Sequence, residues 1–209
     1  MNIHEHIDFE NNSVTSVVKL TCWKVNIVFS KDYFQFQTLH NPNNMSDADK
    51  YQSLSEIEHI LKKPSMYIGS CQLLDAEVFI ADIESAIPKI VSKQMMFSAG
   101  FQRIYEEILL NAFDQTVREG TGCTEIHVDI NQENGSISIM NNGEGIPIVM
   151  KDELECYVVE MLFGRLRTSS NYNDAEERIV GGTNGLGGTL TNIFSKEFTI
   201  ETIDSERKK

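Results

Sequence analysis

An α+β fold, a largely antiparallel sheet with helices on one face, is predicted by three features of the sequence. One long helical run, "FSAGFQRIYEEILLNAFDQTVREG" from Phe97, leads straight into two alternating segments, "TEIHVDI" and "SISIM", joined at Asn134-Gly135. A second helical stretch, a cluster of glycines and a last alternating segment, "EFTIETI", follow in order. Helices mixed with antiparallel strand signals describe a sheet that buries one face under a helix layer.

Residues 1 to about 50 read as an N-terminal extension without recognisable chemistry. Within it, "VVKLTCWKVNIVFSKDYFQF" has the composition of two strands and "NPNNMSDADK" that of a linker. The second region, residues 51–209, begins with "SLSE", which offers a capping box to a short helix. Leu54, Ile57 and Leu61 would share a face of it, and Pro64 stops it. The long helix from Phe97 runs to the stop signal of Gly120. Ile126, Val128 and Ile130 alternate with polar residues up to the Asn134-Gly135 turn, a hairpin pattern. "ECYVVEMLFGRL" supplies a further helix and "TLTNIF" a helical start after the glycines.

Composition narrows the function classes. With 41% hydrophobic and 23% charged residues in 209, the chain reads as soluble and globular, long enough for one full core or for one domain plus a poorly packed extension. No apolar run approaches a membrane span, and "MNIHEHIDFENNS" has neither the basic nor the apolar region of a signal peptide, so an intracellular protein is expected. Cys22, Cys71, Cys123 and Cys156 stand far apart with no C-x-x-C pair, against a zinc site or a disulfide framework. A net charge of −13 argues against extensive direct contact with nucleic acid, because neutralising phosphates takes clustered Lys and Arg.

Three elements carry chemistry. In the long helix Glu107, Asn111, Asp114 and Arg118 are spaced by four, three and four residues, which places them within roughly a 60° stripe. Phe101, Ile104, Ile108, Leu109, Ala112 and Phe113 cover most of the remaining circumference, so the helix should be largely buried. A solvated face is the plain alternative for the stripe, but such faces favour Lys and Glu. An acid, an amide, an acid and an arginine in line are the inventory of a site, since an amide oxygen can ligate Mg²⁺ and a carboxylate can orient water. The second element is "NNGEGIP", Asn141 to Pro147, where glycines at 143 and 145 permit close approach at a strand end. The third is "GGTNGLGGTLTNIFS", Gly181 to Ser195, with five of the 13 glycines in eight positions ahead of a helix start. Bare backbone at a helix start can wrap a phosphate; a flexible surface loop is the alternative. The cluster is neither a P-loop nor a strict dinucleotide fingerprint.

Together, "LSEIEHILKKPSMYIGS", "EILLNAFDQTVR", "ISIMNNGEGIP" and "FGRLRTSSNYNDAEERIVGGTNGLGGTLTNIFS" resemble the ATPase region of eukaryotic-type type II DNA topoisomerases. That family belongs to the Bergerat-fold ATPases, with gyrase, Hsp90, MutL and sensor histidine kinases. The resemblance covers about residues 51 to 204. It implies a Bergerat-type α/β sandwich, ATP and Mg²⁺ as ligands, and coupling of ATP binding and hydrolysis to dimer closure for DNA strand passage. DNA is then the substrate of a complete, homodimeric enzyme wherever that DNA resides, the nucleus included, and no membrane is involved.

By the resemblance, Glu107 is the general base, Asn111 holds Mg²⁺ and the phosphates, and Asp114 also lines the ATP site. Asn141 stands where many relatives read the adenine amino group with an aspartate. Ser169, Ser170 and Asn171 match the lid stretch. Gly182, Thr183, Asn184, Gly185, Leu186, Gly187, Gly188 and Thr189 match the loop around the triphosphate, and Tyr51 an ATP contact from the partner subunit. Three positions depart from the pattern: Thr183 replaces an arginine, Gly188-Thr189 replace alanine-lysine, and Gln115 replaces an asparagine. Two cations are thus missing beside the phosphates, and the chain stops before the transducer whose lysine reaches the γ-phosphate. The expectation is weak nucleotide binding, slow turnover by this chain alone, and an unpaired strand edge at "EFTIETID". Two further readings stay open, a truncated or degenerate nucleotide-binding or dimerisation module without turnover, and another Bergerat-fold ATPase of chaperone or mismatch-repair type.

Overall fold

The strand-forming residues of the N-terminal segment and those of the region beyond residue 120 join one sheet. In the computed structural model, which describes residues 5–8, 13–16, 23–29, 53–168, 185–204 and 207, the chain divides into two compact units, residues 1–40 with 104–209 and residues 41–103. In the first unit β1 (Glu5–Asp8), β2 (Ser13–Ser16) and β3 (Trp23–Val28) combine with β6 (Ile126–Asn131), β7 (Ser136–Asn141) and β10 (Glu197–Thr202). The six strands run in the order β2-β1-β10-β3-β7-β6, and every pairing is antiparallel. The expected free edge at "EFTIETID" is therefore corrected: β10 is central, flanked by β1 and β3. Strands from the other end of the chain satisfy its backbone groups, which no local reading of residues 197–204 reveals.

Alternation decides which side of this sheet is dry. β3 and β7 bury every second residue, Trp23, Val25 and Ile27 against Ile137, Ile139 and Asn141. Their register pairs Trp23 with Asn141, Val25 with Ile139 and Ile27 with Ile137, while β10 sets Thr202, Ile200 and Phe198 opposite the same three β3 residues. Directly opposed residues point to one face, so these nine side chains form a single inward surface. Above it lie apolar residues of α2 (Ala99–Val117), α3 (Val158–Gly164) and α4 (Gly187–Ile193), with Ile104, Ile108, Ala112, Val159, Phe163 and Leu190 all buried. Phe163 of α3 meets Phe198 of β10 with ring centroids 5.9 Å apart. A short hairpin, β8 (Met150–Lys151) with β9 (Cys156–Tyr157), precedes α3.

α2 is less enclosed than its composition predicts. Its buried line is Ile104, Ile108 and Ala112, spaced by four, whereas Phe113 is 55% exposed. The hairpin of β6 and β7 turns at Asn134-Gly135 as predicted, Gly135 taking a φ of +70° that favours glycine.

The second unit holds α1 (Glu56–Lys62) and a two-stranded sheet of β4 (Leu74–Asp82) and β5 (Lys89–Phe97). The capping box lies two residues later than "SLSE" suggests. The Glu58 N–H donates to Ser55 Oγ at 3.3 Å, and the Ser55 N–H to Glu58 Oε2 at 2.8 Å. With that start Ile60 becomes the buried residue, and Ile57 and Leu61 turn outward. The β4–β5 hairpin has no counterpart in the sequence reading. Its alternation is present in Ala76, Val78 and Ile80, but exposed Phe79, Ile83 and Ile90 obscure the period.

Candidate functional site

The polar stripe of α2 is not its solvated face. Glu107, Asn111 and Arg118 are half-buried and Asp114 is buried, while Leu110 and Phe113 take the exposed positions. Among the described residues, the stripe meets the glycine cluster at Gly187. Gly187, the first residue of α4, has its bare Cα against the Glu107 side chain. A Cβ added there would overlap Glu107 Oε2 and stand 2.6 Å from Cδ and 2.9 Å from Cβ. Only glycine lets the start of α4 come so close to that carboxylate.

α4 is held in this position from α3. The Asn192 Nδ2 donates to the Phe163 carbonyl at 3.0 Å, and the Thr189 hydroxyl to the Arg165 carbonyl at 2.9 Å. A Cβ on Gly188 would lie 2.8 Å from Phe163 Cδ1, so this position is sterically tuned to that ring. The Thr191 hydroxyl donates to the Ile104 carbonyl at 2.9 Å, joining α4 directly to α2. Thr189 is buried with its hydroxyl committed to α3, where the resemblance expects a lysine aimed at phosphate. At the neck of the glycine-rich segment, the Thr168 N–H donates to the Gly185 carbonyl at 3.2 Å.

At the end of β7, Asn141 is fully buried, and its Oδ1 accepts the Gly143 N–H at 3.1 Å. Among the described residues its Nδ2 has no hydrogen-bond partner. A buried donor left unpaired costs about 1–3 kcal/mol, so its retention at a strand end beside a glycine turn fits an acceptor supplied by a ligand. Gly143 is bare for a steric reason, because a Cβ there would stand 2.7 Å from the Cys123 Cβ. The loop entry is pinned by Asn142, whose Oδ1 accepts the Thr124 and Glu125 N–H groups, both at 2.9 Å.

The loop exit is pinned by residues that no sequence motif flags. The Ile146 N–H donates to Thr202 Oγ1 and the Ile148 N–H to Asp204 Oδ2, both at 2.9 Å. Asp204 also accepts the Arg207 N–H at 2.9 Å and its guanidinium at 3.0 Å. Burial pushes the Asp204 carboxyl up, but these donors outweigh it and hold it below the usual carboxylate range. Thr202 ends β10 and Asp204 lies two residues beyond it, and their partners lie 56 residues earlier, so local spacing carries no signal for them.

Of the sequence-predicted site residues, Glu107 and Gly187 are in contact and Asn111 lies one helical turn beyond Glu107 on the same face. Gly185, Leu186 and Gly188 lie around the start of α4, Asn141 at the end of β7. Tyr51, Ser169, Ser170, Asn171, Gly182, Thr183 and Asn184 lie outside the described residues. The arrangement brings a carboxylate, an amide and a helix start to one place, and an unpaired amide donor to a rigid loop. A fully buried amide with an open N–H and a glycine cradle beside a carboxylate fit a nucleotide with its metal ion.

Residues 98–208 match the model of the histidine kinase-, DNA gyrase B- and HSP90-like ATPases. DNA topoisomerase 2 of Plasmodium falciparum is 44% identical over 170 residues, 79% of this chain and 12% of that protein. The ATPase region of Saccharomyces cerevisiae topoisomerase II superposes with a TM-score of 0.67 at 42% identity, covering 71% of this chain and 39% of the other. The ATPase and transducer domains of DNA topoisomerase II from Balamuthia mandrillaris superpose with a TM-score of 0.72 at 39% identity, covering 78% and 41%. The chain spans about a tenth of the length of the curated relatives it matches.

Two outcomes are expected from this geometry. Gly187→Ala should destabilise the first unit by about 1–3 kcal/mol, because the added methyl must push Glu107 or α4 aside. A urea midpoint equal to that of the wild type would contradict the close approach. For Asp204, the folded-state pKa is depressed, so its contribution to stability is present above the unfolded value of about 3.9 and is lost as pH falls through the folded value below it. Asp204→Asn should flatten this acid limb of a stability-against-pH curve. An unchanged limb would mean that another group produces it.

Proposed function

Since the chain belongs to the histidine kinase-, DNA gyrase B- and HSP90-like ATPase family and is homologous to the ATPase region of type II topoisomerases, we propose that it binds Mg²⁺-ATP between α2, the start of α4 and the loop after β7. The single observation that carries this reading is the buried, unpaired Asn141 amide at the root of a doubly pinned glycine loop. Asn141 would take up the base, since its Nδ2 lacks an acceptor and its Oδ1 retains capacity for a second donor.

Asn111 would present its side-chain oxygen to the metal ion, with Asp114 supporting from the next turn. Mg²⁺, when bound with the nucleotide, neutralises phosphate charge. Glu107 would accept the proton of the attacking water at its carboxylate, and the backbone from Gly185 to Thr189 would surround the phosphates. Thr189 contributes through its N–H in this scheme, as its hydroxyl is engaged with α3. Gly182, Thr183 and Asn184 would extend the same loop, Ser169, Ser170 and Asn171 would contact ribose and phosphate, and Tyr51 would reach the partner's nucleotide.

At the level of the complete protein, the proposal is a homodimeric, intracellular type II topoisomerase in which ATP binding and hydrolysis are coupled to dimer closure for DNA strand passage. This acidic chain would contribute little direct DNA contact. Among the described residues no helix is long and apolar enough to cross a membrane. A second reading, nucleotide binding without turnover, is favoured by one observation. The buried Thr189 hydroxyl bonds to the Arg165 carbonyl where the family carries a lysine, so that cation is not replaced in place.

Asn111→Ala should abolish most Mg²⁺-ATP binding measured by calorimetry. Equal affinity in wild type and variant would reject the assignment. Glu107→Gln should keep ATP affinity and lower turnover by roughly 10²-fold or more in the complete enzyme. If wild type and Glu107→Gln both bind ATP and neither turns it over, the second reading stands. Normal hydrolysis by the variant would remove Glu107 from the mechanism.

A further inference from the structure

The loop from Gly143 to Ile148 is held at its exit by one strand end, where Thr202 and Asp204 accept the Ile146 and Ile148 N–H groups at 2.9 Å each. Asp204 is 3% exposed and accepts three hydrogen bonds, from the Ile148 N–H, the Arg207 N–H and the Arg207 guanidinium. A buried carboxylate with its oxygens directed by three donors is a rigid anchor, because each donor it loses leaves charge in a dry place. Ile148 is itself buried, so its N–H has no water to turn to if Asp204 is removed.

The register explains why this anchor matters for Asn141. Trp23 pairs with Asn141 on one side and with Thr202 on the other, so Asn141 and Thr202 lie in one cross-strand row on the inward face. β10 therefore does two things at the same end of the sheet. It neighbours the strand beside Asn141, and just beyond its last residue it grips the loop that leaves Asn141. The entry of that loop is tied separately, through Asn142 to residues 124 and 125.

We propose that Asp204 is a positioning residue for the base-binding end of the nucleotide site, setting the loop after Asn141 while making no contact with the nucleotide. This rests on the reading of Asn141 as the base contact. It divides the site into two parts with different supports. The base end depends on Asp204 through the loop, whereas the phosphate end depends on α2 and α4, which are joined by the Gly187 approach and the Thr191 bond. Asp204→Ala should thus weaken base recognition selectively, an outcome that general destabilisation does not produce.

The test compares Mg²⁺-ATP with Mg²⁺-tripolyphosphate, which presents the phosphates without a base, by calorimetry on the whole chain. Wild type is expected to prefer ATP. Asp204→Ala should lose about tenfold in ATP affinity, the scale of one lost charged hydrogen bond, with tripolyphosphate affinity unchanged. Asp204→Asn, of the same shape and keeping an acceptor for Ile148, should recover part of the loss. Should Asp204→Ala fail to fold, amide exchange in Asp204→Asn decides the matter. Faster exchange at Ile146 and Ile148 with β7 unchanged, together with reduced ATP affinity, supports the role. Parallel weakening of both ligands, or undiminished ATP preference in a folded variant, overturns it. A wild-type chain that binds tripolyphosphate as well as ATP overturns the base contact at Asn141 and this role with it.

Discussion

The register of β3 between β7 and β10 is the constraint on which the remaining features depend. It opposes Trp23 to Asn141 and to Thr202, and Val25 to Ile139 and Ile200. Side chains along a strand alternate, so a slip of one residue would turn Val25 and Ile27 to the other face and break the row that carries Asn141. The buried isoleucines on all three strands oppose such a slip, since each buried aliphatic side chain contributes about 1.5–3 kcal/mol. The apolar core thus fixes where one polar amide ends up, and the loop that follows inherits its position.

Three glycines illustrate how differently bare backbone is used within one site. At Gly187 the empty volume is filled by the Glu107 carboxylate, at Gly188 by the Phe163 ring and at Gly143 by the Cys123 side chain. The last two are packing requirements that lie next to the proposed nucleotide site. The first joins the two polar elements of the site, for without it the α4 backbone would stand off from the α2 stripe. A glycine cluster in a sequence therefore announces close approach without saying what approaches.

The loop after β7 is fastened by side chains at both ends, Asn142 at its entry and Thr202 with Asp204 at its exit. Such fastening lowers the ordering cost that a ligand would otherwise meet on binding. It also leaves the Asn141 Nδ2 unpaired in a place that cannot easily relax around it. Rigidity and an open donor together distinguish this strand end from an ordinary turn.

Much of this was legible in the sequence because it is local. The α2 periodicity, the Asn134-Gly135 hairpin and the Glu107–Asn111 spacing need only neighbouring residues, and four motifs in order identify the ATPase family. The short α1 was legible too, but its capping box was displaced because Ser53 and Ser55 offer the same chemistry two residues apart, and only the backbone path chooses between them. What lies far apart along the chain was decided by the tertiary structure. β10 appears as an exposed edge until strands from residues 5–28 flank it, and Thr202 and Asp204 look ordinary until backbone donors 56 residues away close on them. Residue type and spacing determine which groups are available, whereas hydrogen-bond partners across a sheet are set by packing that sums over the whole chain.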